Sequence, residues 1–148
     1  MNLKIVSMRT CSFLIIALCF CITSTFAQNT KKAPKVKPNQ VDNFIKEVYQ
    51  KQANTIVFSD PIRYAGFKNL LLNRISFYKL NYKAGEDFVN LSTVPLFKTY
   101  NKNLMRTNMF NVDNFNPLKY DINFFSNELI RYRINQQYIL VVTPQKTR

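Results

Sequence analysis

Carboxylates, lysines, tyrosines and hydroxyls are the side chains left to do chemistry in this sequence. Histidine is absent from all 148 residues, and the three cysteines, Cys11, Cys19 and Cys21, lie together in an apolar run near the start. That removes the commonest general base and the imidazole ligands of zinc and haem sites; if the run is cleaved off, it removes the thiol nucleophile as well. Gly66 and Gly85 are the only glycines. No dinucleotide-binding fingerprint or nucleophile elbow can be written with them, and neither precedes the lysine of a phosphate loop.

The carboxylates offer two pairings for acid/base hydrolysis of a glycosidic bond, Glu86 with Asp87 and Asp121 with Glu128. Each has a plainer reading: the first pair follows a turn glycine, and Glu128 falls in a tight hairpin loop. A calcium loop starting at Asn111 fails, because Phe115 stands at its third ligand position and Ile122 at its closing glutamate. Residues 111–116 read as an Asx-rich turn. Tyr78, Lys79, Tyr82, Lys83, Arg131, Tyr132 and Arg133 mix aromatics with cations as nucleic-acid or glycan platforms do. Strands favour Tyr, however, and solvent faces favour Lys and Arg. No catalytic residue, metal site or cofactor is expected, and a carboxylate-based hydrolase is kept only as an alternative.

Lys4 and Arg9 precede an apolar run from Cys11 to Ile22, and Thr25-Phe26-Ala27 places small residues where a signal peptidase reads. The run is shorter than the ~20 residues of a membrane-spanning helix. Residues 1–27 are therefore expected to be a signal peptide cleaved after Ala27, with export to the periplasm or exterior. Cleavage would leave 121 residues with 19 basic and 8 acidic side chains, net +11 against +13 for the whole chain. A balance of that size favours an anionic polymer or a membrane surface as partner, with an envelope protein as a further candidate. Against this, the richness in Lys, Asn, Ile, Phe and Tyr accounts for part of the excess as composition. The candidate anion- or partner-binding residues are Lys31, Lys32, Lys35 and Lys37, in a basic flexible leader spanning 28–38, and Arg131 and Arg133 on a C-terminal strand.

These residues must be positioned by a single domain over 39–145, followed by a basic tail at 146–148. Asn39 has the type of a helix N-cap, and Val41, Phe44, Ile45, Val48 and Tyr49 then recur on one helical face, predicting a helix to about Ala53. Thr55–Phe58 reads as a short β-rich run stopped by Ser59-Asp60-Pro61. Phe67, Leu70 and Leu71 suggest a short helix after Gly66, and 74–82 reads as a strand ending in a turn at 83–86. Alternation in Leu118, Tyr120, Ile122 and Phe124, and again in Ile130, Tyr132 and Ile134, predicts two half-buried strands. A three-residue loop, Ser126-Asn127-Glu128, would set Phe124 opposite Ile130 and Asp121 opposite Arg133. Tyr138–Val142 is apolar on both faces, which predicts an interior strand.

The expected fold class is thus α+β: an N-terminal amphipathic helix packed on a small antiparallel sheet that ends in a three-stranded C-terminal meander. The expected function is a non-catalytic binding module for an anionic surface or a protein partner, with a structural or assembly subunit of a cell-envelope complex as the alternative.

Overall fold

The computed structural model describes residues 35–80 and 88–145. The expected signal peptide, Lys31 and Lys32, the turn at 83–86, the Glu86–Asp87 pair and the tail at 146–148 lie outside them. The described chain mixes helix and sheet. Helix α1 (Val41–Tyr49) presents the stripe read from the sequence: Val41, Phe44, Ile45 and Val48 are all buried. Asn39 does not cap it. It lies inside a 3₁₀ turn, Pro38–Gln40, closed by the Gln40 N–H donating to Lys37 O (3.0 Å) and the Lys37 N–H donating to Gln40 Oε1 (2.6 Å). Packing also begins before the expected domain start at 39, since Val36 is buried in the core.

After α1 the chain passes through Gln50, whose φ of 48° and ψ of −128° form an uncommon pairing for a non-glycine residue. It does not go on to a strand at Thr55–Phe58, as the β-branched residues had suggested. Asn54–Phe58 instead forms a wide π turn, closed by the Ser59 N–H donating to Asn54 O (2.9 Å). The run is contiguous in Ile, Val and Phe and lacks alternation, so a helical turn buries Val57 as well as a strand would. Ser59-Asp60-Pro61 then starts helix α2 (Pro61–Asn69): Asp60 Oδ1 accepts from the N–H groups of Ile62 (3.0 Å) and Arg63 (3.1 Å), with proline at the first helical position. A second π turn, Leu70–Arg74, leads straight into the sheet.

The sheet has four strands in the order β1-β4-β3-β2, with β1 at Ile75–Lys79, β2 at Val89–Asn90, β3 at Ile130–Arg133 and β4 at Tyr138–Val142. β4 lies between β1 and β3 and is antiparallel to both, the interior place its two-faced apolarity implied. Its register aligns Phe77, Leu140 and Tyr132 on one face, with Ile75, Val142 and Ile130 in the next row. The sheet is mixed, not antiparallel, because β2 runs parallel to β3. The three-stranded meander is also corrected: only its last two members are strands.

Leu118, Tyr120 and Ile122 are inside as the sequence implied, but Lys119 is buried between them, so burial alternates only from Tyr120 onward, and the segment does not join β3. Pro117–Lys119 is a 3₁₀ turn capped by Asn116 Oδ1. Beyond it the Ile122 N–H donates to Tyr120 O (2.8 Å) and the Phe124 N–H to Ile122 O (2.9 Å). Such i to i+2 bonds use donors that a ladder would need. The segment's one bridge is Leu96 with Tyr120, flanked by Phe97 N–H to Lys119 O and Asp121 N–H to Pro95 O, both 2.8 Å. Phe124 opposite Ile130 and Asp121 opposite Arg133 are therefore not formed.

Candidate functional site

The candidate cations are spread over the molecule. Lys35 is exposed, whereas Lys37 reaches back to Asp113 at 2.7 Å, and Gln40 Nε2 donates to the Asp113 carbonyl. The Asx-rich turn supplies that anchor: Asn111 Oδ1 accepts the Asp113 N–H (2.9 Å) and Asn111 O accepts the Asn114 N–H (3.0 Å), as its composition implied. Arg131 and Arg133 are brought together on the sheet face opposite the core, across from Val141 and Ile139. Tyr78 shares that face through Ile139. Tyr132 does not, being buried on the core side. Val141 and Ser76 are also buried, so Arg131 and Arg133 flank a covered patch rather than line an open aromatic platform. The Arg133 guanidinium lies over the Phe88 ring, 5.9 Å from its centroid.

Of the two hydrolase pairings, only Asp121 with Glu128 lies within the described residues. Asp121 is exposed beside the Leu96 bridge, and Glu128 is exposed in a turn where its N–H donates to Ser126 Oγ (3.0 Å). Among the described residues, no three carboxylates are grouped so as to hold a metal ion, and no helix is long and apolar enough to cross a membrane.

The concavities of the molecule were not read from the sequence. A cleft of about 450 Å³ opens between α1, the α2 end and residues 118–125, lined by Tyr49, Phe67, Leu70, Phe97, Tyr120, Ile122 and Phe124, with Asp121 and Asn123 also on its wall. Tyr49 anchors it through rings: stacked on Tyr100 at 4.9 Å and edge-on to Phe67 at 5.6 Å. Burial, with Tyr100 beside it, pushes the Tyr49 hydroxyl pKa above its ordinary value. A second cavity of about 210 Å³ shares the walls Phe67, Leu70, Phe124 and Phe125 and adds Arg63, Gly66 and Arg74.

Arg74 is the unusual member. It stands where the second π turn meets β1 and is only 8% exposed. Its Nε donates to Thr143 O (3.0 Å) and its Nη2 to Phe124 O (2.6 Å). Among the described residues no carboxylate pairs with it, and burial lowers its pKa from the ordinary arginine value. Arg63, on the same cavity, is held by Ile56 O at 2.7 Å and lies 3.7 Å from Asp60. The sequence signal for Arg74 was weak: a cation just before a strand reads as an ordinary edge residue.

No protein-family model, no curated protein and no solved structure matches the chain.

Proposed function

We propose that the chain is an exported, non-catalytic binding module that attaches to an anionic surface. The observation that carries this reading is charge left unbalanced on the outside. The chain has 21 Lys and Arg against 8 Asp and Glu, and of those few carboxylates Asp113, Asp60 and Glu47 already face Lys37, Arg63 and Lys119. Lys35, Lys51, Lys79, Lys98, Lys102 and Arg131 are exposed, and no described carboxylate pairs with any of them. Long-range attraction to a polyanion needs only this net field, without a shaped pocket. Lys37 contributes less than Lys35, because binding must compete with its Asp113 contact. Export rests on the leader's residue pattern, and the non-catalytic role on the lack of histidine and, among the described residues, of a positioned acid/base pair.

The test is chromatography on heparin, with vesicles containing acidic lipid as a second matrix. Retention beyond about 150 mM salt is expected, falling steeply as salt rises because bound counterions are released on association. Elution in the void at about 50 mM would overturn the proposal.

A further inference from the structure

The two adjoining cavities differ from the basic surface in what they offer a ligand. The larger is walled by aromatic and aliphatic side chains and, at about 450 Å³, has the size of a small-molecule site. The smaller brings a buried guanidinium to the far side of a shared wall of Phe67, Leu70, Phe124 and Phe125. We propose that this cleft binds a single-chain amphiphile with a carboxylate head, of the medium-chain fatty acid class, with the head on Arg74 and the chain among Tyr49, Phe67 and Phe97.

Charge complementarity selects the head. A buried cation is stable only when its hydrogen-bond donors and its charge are both met. Two backbone carbonyls use Nε and Nη2 of Arg74. The Nη1 group makes no hydrogen bond to a described residue and is not a buried orphan, so it faces the solvent-open groove, and no described carboxylate supplies the counter-charge. An incoming carboxylate supplies both, in the planar geometry that a guanidinium matches. Arg74 also lines a broader groove with Ile62, Ala65 and Asn73, which gives the head a route from solvent. The apolar walls select the tail: a chain leaving Arg74 passes Leu70 and Phe124 and meets rings rather than charges, Asp121 excepted. This site is distinct from the surface reading above, which rests on the exposed cations and not on Arg74 or the ring-lined cleft.

The experiment is calorimetric titration of the full chain with dodecanoate, dodecanol and dodecyltrimethylammonium, repeated in excess heparin. Dodecanoate is expected to bind one to one, at least about tenfold tighter than either analogue, and to keep its affinity in heparin. Shortening the chain by one methylene should weaken it about fourfold. The decisive variant is Gly66→Leu. Gly66 lines the Arg74 cavity on α2, and a Cβ there meets nothing within 4 Å. The substitution is accommodated without a clash, adds bulk on the Gly66 wall of the cavity and raises helix propensity. Loss of dodecanoate binding with an unchanged or higher melting temperature is expected. Equal affinity for all three amphiphiles, full binding by Gly66→Leu, or binding only of an apolar peptide through its C-terminal carboxylate would overturn the proposal. Heparin retention with no amphiphile bound would sink this inference alone and leave the surface reading standing.

Discussion

Asn116 is fully buried and its amide joins α1 to the turn at Pro117–Lys119. Its Nδ2 donates to Phe44 O and to Glu47 Oε2, both at 2.9 Å, while its Oδ1 accepts the Leu118 N–H at 3.0 Å. Glu47 then meets the buried Lys119 at 3.2 Å, and its own carbonyl accepts from Asn101 Nδ2 at 2.9 Å. A residue placed by helical pattern on the solvated side of α1 thus becomes the hub that ties α1 to the irregular 101–119 stretch. Arg106 does similar work, donating to Leu91 O (3.1 Å) and Val94 O (2.6 Å) with its guanidinium 5.8 Å from the Tyr120 ring centre. Irregular backbone leaves carbonyls that helices and ladders would have satisfied, and these side chains supply the donors. Asn116→Ala is expected to cost about 2–3 kcal/mol in urea unfolding, because it strands buried groups as well as deleting bonds. A loss below about 0.5 kcal/mol would show that the network is not holding the segments together.

The elements that sequence pattern located are those whose burial alone dictates their form. The α1 stripe and the two-faced β4 run both appear, although α1 ends at Tyr49 and not near Ala53, because Gln50 leaves helical geometry. The errors fall where burial pattern and backbone form separate. Leu118, Tyr120 and Ile122 are buried as a strand would bury them, but Asn116 and Pro117 set a capped turn that buries Lys119 as well, and short i to i+2 bonds take over. Ser59-Asp60-Pro61 was read as a stop, although the same three residues hold a cap and an N1 proline. The cleft was illegible for another reason: its walls come from α1, α2 and two loops remote in sequence, and no local period records that meeting. Helix α2 buries none of its own residues, so little tertiary packing supports its start. Asp60→Ala is accordingly expected to lower stability by about 1 kcal/mol and to reduce helical ellipticity. An unchanged melting curve would mean that Pro61 and the flanking π turn suffice without the cap.

For the whole molecule, cohesion comes from rings and aliphatic packing, with Phe77, Phe110 and Phe115 meeting edge to face or tilted within 5.2–5.7 Å. The net charge of +13 opposes it. Tyrosine links the two. Tyr64 donates to Asp42 Oδ1 at 2.7 Å, which joins α2 to α1, and that bond raises its pKa above 10.0. Burial does the same for Tyr49 and Tyr132. In each case the folded chain keeps its proton to higher pH than the unfolded chain. The stability these groups contribute is therefore complete below about pH 10 and drains away as pH rises through the higher folded values. Lysine deprotonation in the same range reduces self-repulsion and acts in the opposite direction. Salt separates the two, because it screens surface repulsion while leaving buried hydroxyls nearly untouched. In about 0.5 M salt, thermal melts from pH 8 to 11 should show a melting temperature that is level to about pH 9.5 and then falls. Tyr64→Phe should make the fall shallower, since it removes one of the three protons the fold retains. A melting temperature that rises through pH 11 in high salt would show that charge, not the tyrosines, governs the alkaline limb.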